Sequence, residues 1–144
     1  MIFDKANLLS DAQAVTATAA TTNYIDLGAD RNIGNGEPIE LFAMVTTTTT
    51  SGGSTTMTFA LQTDSDSAFG SAETLLVTGS IAKATLVAGY EFLRVRLPQG
   101  VKRYVRGYFT VSTADFTAGN FTVGLLLDRQ AQAYYASGLR TSGF

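Results

Sequence analysis

The chain has 144 residues, 45% of them hydrophobic, which suits one globular domain whose core needs no disulfide or metal to hold it together. It contains no cysteine and no histidine, which excludes disulfides, thiolate nucleophiles and Ser-His-Asp triads. The net charge of −2 at pH 7 provides no general attraction to nucleic acid, and no apolar run approaches the roughly 18 residues that a membrane span needs.

The first residues, 1–11, precede any strand-like pattern, and we assign them to an N-terminal arm of the mature protein. The tripeptide AQA at 12–14 resembles a signal-peptidase site, but neither a basic segment nor an apolar segment of about 7–15 residues comes before it. Residues 12–22 are small and β-branched, which favours a strand. Ile25 and Leu27 follow at the spacing of an inward-facing pair.

A glycine-rich segment, DLGADRNIGNGEP, occupies residues 26–38. It lacks the Lys-Ser or Lys-Thr pair of a phosphate-binding loop and the Gly-x-Gly-x-x-Gly spacing of a dinucleotide-binding turn. Asp26, Asp30 and Glu37 offer oxygen ligands for calcium, but their spacing fits no standard calcium loop. We interpret the segment as an irregular connection between strands.

The middle of residues 43–62, AMVTTTTTSGGSTTMTFALQ, resembles a flexible linker between two domains. Apolar residues alternate on both sides of it, and threonine is itself enriched in strands. Only the SGGS at 51–54 demands a turn, and a true spacer would be richer in glycine and serine. The pattern therefore predicts a long β-hairpin with a Gly-Gly tip, and hence a single domain over residues 1–144.

Two carboxylates, Asp64 and Asp66, follow this strand in the segment QTDSDSAFGSAE. They lack the third ligand and the glycine of an EF-hand loop, and one sequence cannot show the convergence of carboxylates that glycosidase chemistry requires. Asx turns that end the strand explain the pair more simply.

Further alternation predicts strands at 73–81, 92–97, 104–111 and 121–127. About seven or eight short strands with glycine-rich turns indicate an all-β sandwich or barrel, and periodicity alone does not choose between jelly-roll and immunoglobulin-like topology. Residues 129–144 carry large apolar groups among serine and glycine, and we assign them to a C-terminal arm.

Half of the positive charge of the chain lies in the segment FLRVRLPQGVKRYVRGYF. Arg94 and Arg96 stand two residues apart on a strand, so they project from the same face. A solvated strand face, a protein–protein contact and a surface for single-stranded nucleic acid are the three interpretations, and the overall negative charge disfavours the third. The apolar groups of the two arms either fold back onto the sandwich or dock on a neighbouring molecule.

Five stretches carry a resemblance to a known family: SDAQAVTATAATT with YIDLGA, IGNGEPIEL, TMTFALQTDSDSAF, LVAGYEFLRVRLPQGVKRYVRGYFTV and FTAGNFTVGLLLDRQ. Together they resemble the capsid cement, or decoration, proteins of tailed bacteriophages. The resemblance covers residues 3–130 and implies a jelly-roll sandwich on the outer surface of an icosahedral virion. It further implies a homodimer, with a trimer as the alternative, that bridges copies of the major capsid protein.

The resemblance implies no catalytic residue, cofactor, metal, nucleic-acid partner or membrane partner, so we expect a structural protein and not an enzyme. Among the candidate contact residues, Phe3, Tyr134 and Tyr135 are expected to supply apolar contacts. Arg94, Arg96 and Arg103 are expected to supply charge complementarity to the shell. The alternative function is a carbohydrate-binding sandwich on a virion surface, which the absence of tryptophan disfavours.

Overall fold

Strands dominate the computed structural model of the protein, which describes residues 4–127. A short 3-10 turn, Lys5–Asn7, comes first, with the side chain of Asp4 accepting a hydrogen bond from the backbone N–H of Ala6. The ten strands of the described part are β1 (Leu8–Ala14), β2 (Ala19–Ala20), β3 (Ile25–Asp26), β4 (Glu40–Thr50), β5 (Thr56–Asp64), β6 (Glu73–Val77), β7 (Ile81–Ala82), β8 (Glu91–Arg96), β9 (Tyr104–Ser112) and β10 (Ala118–Leu126).

Two antiparallel sheets make up the sandwich. A four-stranded sheet has the order β1-β10-β4-β8, and a six-stranded sheet has the order β2-β9-β5-β6, with β3 on β9 and β7 on β5. Strands from the two ends of the described chain pair with each other, and the pairing continues toward the middle of the sequence. The pairs are β1 with β10, β2 and β3 with β9, β4 with β8, and β5 with β6 and β7. This nesting is that of a jelly roll in which two of the eight positions are each divided between two short strands. The predicted all-β, jelly-roll-like sandwich is confirmed.

The core lies between the two sheets and is centred on four phenylalanines. Phe59 and Phe109 project from the six-stranded sheet and lie 5.2 Å apart between ring centroids. Phe121 projects from the four-stranded sheet to 5.2 Å from Phe109, and Phe92 lies 6.0 Å from both Phe59 and Phe121. Tilted and edge-on ring pairs at these separations stabilise by about 0.5–1.5 kcal/mol each beyond the area that they bury.

The threonine-rich segment forms strands, as predicted, but the predicted hairpin is wrong. β4 lies in the four-stranded sheet and β5 in the six-stranded sheet, so the turn after Thr50 carries the chain from one sheet to the other. Thr49 is buried there and donates from its hydroxyl to the carbonyl oxygens of Lys83 and Leu86. Alternation reports which residues face inward, and two successive strands show the same alternation whether they pair or face each other.

The N-terminus enters the sandwich earlier than the predicted arm of residues 1–11 allows. Leu8–Ala14 is β1, with Leu9 fully buried in the core. Register shifts occur between Leu8 and Ser10 and between Ser10 and Gln13, so three successive residues at its start are buried. These bulges remove the period of two on which the sequence prediction depends. The predicted C-terminal arm, 129–144, lies outside the described residues.

Gly107 provides a test of the packing between β9 and the core. A Cβ atom at this position would lie 2.6 Å from both Phe59 Cε2 and Thr21 Cγ2. We therefore expect Gly107→Ala to lower the free energy of unfolding by about 1–3 kcal/mol, the usual cost of overpacking a core. Urea denaturation measures this change. Gly36→Ala is the control because nothing lies within 4 Å of its Cβ position, and equal stability of the two variants would contradict the prediction.

Candidate protein-binding surface

The outer face of the six-stranded sheet displays the side chains that alternate with the core residues of β9 and β5. Because Val105 and Phe109 point inward, Tyr104, Arg106 and Tyr108 point outward. The register places these three residues opposite Asp64, Gln62 and Ala60, respectively. Tyrosine and arginine thus stand side by side on a rigid pair of central strands.

Arg106 is fixed between aromatic rings on this face. Its guanidinium carbon lies 4.3 Å from the ring centroid of Phe69 and 5.5 Å from that of Tyr108. Its Nε donates a 2.9 Å hydrogen bond to Gln62 Oε1. Cation–π contact and a neutral hydrogen bond therefore hold the guanidinium in place while leaving its positive charge uncompensated by a carboxylate within residues 4–127.

Phe69 reaches Arg106 from the loop between β5 and β6. Asp64 accepts hydrogen bonds from the backbone N–H of Asp66 (3.2 Å) and of Ser71 (2.9 Å), and Asp66 accepts one from Ala68. These bonds confirm the interpretation of the acidic pair as turn residues, and the bond from Ser71 holds the pKa of Asp64 below its ordinary value. Phe69 itself has φ +53°, a left-handed conformation that is rare for a bulky residue.

Tyr24 extends the aromatic group from the segment just before β3. It is 51% exposed, and its ring lies 5.6 Å from Tyr104 and 6.2 Å from Phe69, edge-on in both cases. We call Tyr24, Phe69, Tyr104, Arg106 and Tyr108 the aromatic–arginine surface, within which the Phe69 ring is buried (8% exposed) against its neighbours. Large rings and arginine are the groups enriched at protein–protein interfaces.

Arg103, one of the expected contact residues, forms an internal ion pair at the edge of this surface. Its Nε and Nη2 donate to the two carboxylate oxygens of Asp26 at 2.8 and 2.9 Å, and its backbone N–H donates to Asp30. The pair joins β3 to the start of β9, and the guanidinium lowers the pKa of Asp26 to about 2. The charge of Arg103 is thus compensated within the chain.

Arg94 and Arg96 lie elsewhere, on β8 at the edge of the four-stranded sheet. As the sequence predicts, the two share a face, opposite Phe42 and Glu40 in register. Arg94 pairs with Glu91 at 2.9 Å and lies 5.3 Å above the Phe42 ring. Arg96 forms no ion pair within residues 4–127. The structure therefore brings Arg94 and Arg96 together and places Arg103 just before β9, beside the other sheet.

The three remaining candidate contact residues, Phe3, Tyr134 and Tyr135, lie outside the described residues. Residues 4–127 contain no cluster of three or more acidic side chains that could hold a metal ion, and Asp26 and Asp30 both face Arg103. In the same range there is no helix of the length and hydrophobicity that a membrane crossing requires.

Sequence reasoning identified the basic segment of β9 but did not select Arg106 as a contact residue, and it gave no role to Tyr24 or Phe69. A signal for Phe69 was present, because a single large aromatic residue in a loop of small and acidic residues needs a partner to cover it. The partner itself, on a strand distant in sequence, could not be read from the local pattern.

Acid titration tests the pair of Asp26 and Arg103. The pKa of Asp26 is lowered from 3.8 to about 2, so its contribution to stability is present above about pH 4 and is lost as the pH falls toward 2. We expect Asp26→Asn to be less stable at pH 7 and to show a shallower loss of melting temperature between pH 4 and 2. If the melting temperatures of the wild type and of Asp26→Asn fell with the same slope between pH 4 and 2, the stabilising role of the ion pair would be contradicted.

Comparison with known proteins gives a match to one family model and no match among curated proteins. A model of the family Bbp16 matches residues 9–125, a range that contains the whole aromatic–arginine surface as well as Arg94, Arg96 and Arg103.

Proposed function

The chain belongs to the Bbp16 family, and we propose that it is a structural protein of a phage virion that decorates the outer surface of the capsid. In this role it bridges neighbouring copies of the major capsid protein. The observation that carries the proposal is the fixed aromatic–arginine surface on one broad face of the sandwich, since such a surface suits protein contact. The resemblance of the sequence blocks to cement proteins supplies the partner.

The mechanism that we propose is mechanical. DNA packed in a shell pulls the capsid proteins apart along the seams between them. A protein that spans a seam adds buried interface on both sides, so that opening the seam must also break that interface. A clip with two binding sites engages its second site at high effective concentration, which makes modest contacts sufficient. A homodimer with two-fold symmetry is the commonest way to obtain two such sites.

Within this proposal, Arg94 and Arg96 contribute a second contact at the edge of the four-stranded sheet. Arg96 is the exposed member and forms no ion pair within residues 4–127, although Glu40 lies opposite it in register. Phe3, Tyr134 and Tyr135 contribute apolar area, whose removal from water favours the contact by roughly 25 cal/mol per Å² before the entropic costs of association are subtracted.

Co-sedimentation with capsids that lack the protein tests the proposed function. We expect the purified chain to pellet with such capsids saturably and to raise the temperature or osmotic stress at which DNA-filled heads rupture. Imaging of the saturated capsids then shows whether the occupied sites lie across seams. Absence of binding, together with binding on a glycan array, would overturn the proposal in favour of the carbohydrate-binding alternative.

The double variant Arg94→Glu with Arg96→Glu tests the contact at β8. Reversing two charges places like charge against the surface that the arginines complement, so we expect at least a tenfold loss of affinity for capsids. Because Arg94 also pairs with Glu91, a thermal melt checks the fold, and Arg96→Glu alone provides a variant that breaks no ion pair of the described residues. Unchanged binding by both variants would show that β8 is not a contact.

A further inference from the structure

We propose that Arg106 and the rings around it form a binding site for one carboxylate of a partner protein. The identification of that partner as the major capsid protein depends on the proposed function, whereas the carboxylate site itself does not. In this assignment the guanidinium edge of Arg106 receives an aspartate or glutamate side chain, and the rings of Tyr24 and Tyr104 pack against the chain that carries it.

The first support is that Arg106 is a cation with unused donors. Its neighbours at the same end of the sheet are neutralised internally: Lys102 by Glu73 at 2.7 Å and Arg103 by Asp26. Arg106 bonds only to the neutral Gln62, through Nε. Within residues 4–127 its two terminal nitrogens form no hydrogen bond, and together they carry four N–H groups. Two of these are parallel and match the spacing of a carboxylate.

The second support is that the guanidinium is held in place before any partner arrives. Phe69 at 4.3 Å and Tyr108 at 5.5 Å restrict the plane of the group, and Gln62 fixes its inner edge. Phe69 adopts a left-handed backbone conformation, which persists only where the surrounding structure enforces it. The Asp64 carboxylate holds the loop on both sides of Phe69, because it accepts hydrogen bonds from the backbone N–H groups of Asp66 and Ser71. A preorganised arginine loses little conformational entropy on binding, so more of the contact energy appears as affinity.

The third support concerns the kind of anion. Three carboxylates near Arg106, those of Asp30, Asp64 and Asp66, form no ion pair within residues 4–127, whereas Asp26 and Glu73 are already paired with Arg103 and Lys102. A nucleic acid gains affinity by neutralising many phosphates at once, and this acidic rim would repel the phosphates on either side of Arg106. A single carboxylate on an otherwise uncharged loop meets less of that repulsion than a row of phosphates does. The geometry therefore favours an acidic side chain of a protein over a polyanion.

Capsid binding by matched variants tests the site. We expect Arg106→Gln to lower the affinity for capsids at least tenfold, because a bidentate, charge-assisted contact is lost. Arg106→Lys keeps the charge but not the planar fork, so it should recover only part of the affinity. Arg31→Gln removes the same charge from an exposed loop residue that has no ion pair within residues 4–127, and it should change the affinity less than twofold.

Two results with capsids would overturn the site. One is wild-type affinity in Arg106→Gln, and the other is an equal loss in Arg31→Gln and Arg106→Gln, which would indicate general electrostatics alone. Melting temperatures within a few degrees of the wild type establish that each variant is folded. Should Arg106→Gln unfold, Arg106→Lys carries the test, and full affinity in that variant would refute the need for a planar fork.

A measurement without capsids separates the failure of this site from the failure of the proposed function. The Nε–Hε resonance of Arg106 is followed by NMR while sodium acetate is added, with sodium chloride at the same ionic strength as control. We expect a saturable shift with acetate only, even if the wild type does not bind capsids. No acetate-dependent shift would refute the site. Binding of a single-stranded oligonucleotide that Arg106→Gln abolishes would also refute it, in favour of nucleic acid.

Discussion

The four phenylalanines between the sheets constrain most of what the molecule displays on its outside. Phe59 and Phe109 meet Phe121 and Phe92 across the sandwich, so the faces of β5 and β9 that turn inward are fixed. Because side chains alternate along a strand, burying one set exposes its neighbours, and a slip of one residue would exchange the two sets. Tyr108 and Arg106 are therefore external because Phe109 and Val105 are internal. The core determines the surface as well as the stability.

This dependence also explains which features could be predicted from the sequence. The inward residues of β4, β5 and β9 are those that the alternation indicates, and short alternating segments predict the all-β class. In the predicted strand 121–127, Phe121, Val123 and Leu125 are buried as expected, but Leu127 follows the end of β10 and is 63% exposed. The pairing of strands is a different matter. The turn after Thr50 joins two sheets and not two paired strands, and no local pattern distinguishes these cases. In β1 the sequence prediction missed a strand, because the bulges interrupt the alternation of buried and exposed residues. Leu9 of this strand is fully buried.

The candidate surface shows the same division between local and long-range information. That Arg94 and Arg96 share a face follows from their spacing alone, and the structure agrees. That Arg103 is neutralised by Asp26 depends on a contact between residues 77 positions apart, which one sequence does not contain. Phe69 is a similar case, because its position on Arg106 requires both the turn built by Asp64 and the register of β9 against β5. Residue type thus identifies candidates, and tertiary contacts decide which of them remain available to a partner.

Arg94 and Arg96 lie on one sheet and Arg106 lies on the other. This separation bears on how one chain could bridge two neighbours. β8 is an edge strand of the four-stranded sheet, whereas Arg106 lies on the central β9 of the six-stranded sheet. The two sheets of a sandwich pack about 10 Å apart with their outer faces pointing in opposite directions, which on the proposed function lets contacts at these two places engage different copies of the capsid protein. A rigid core between them would transmit a pull on one contact directly to the other. On the proposed function, a single jelly roll could thus carry load across a seam, and dimerisation would multiply that capacity without being its only source.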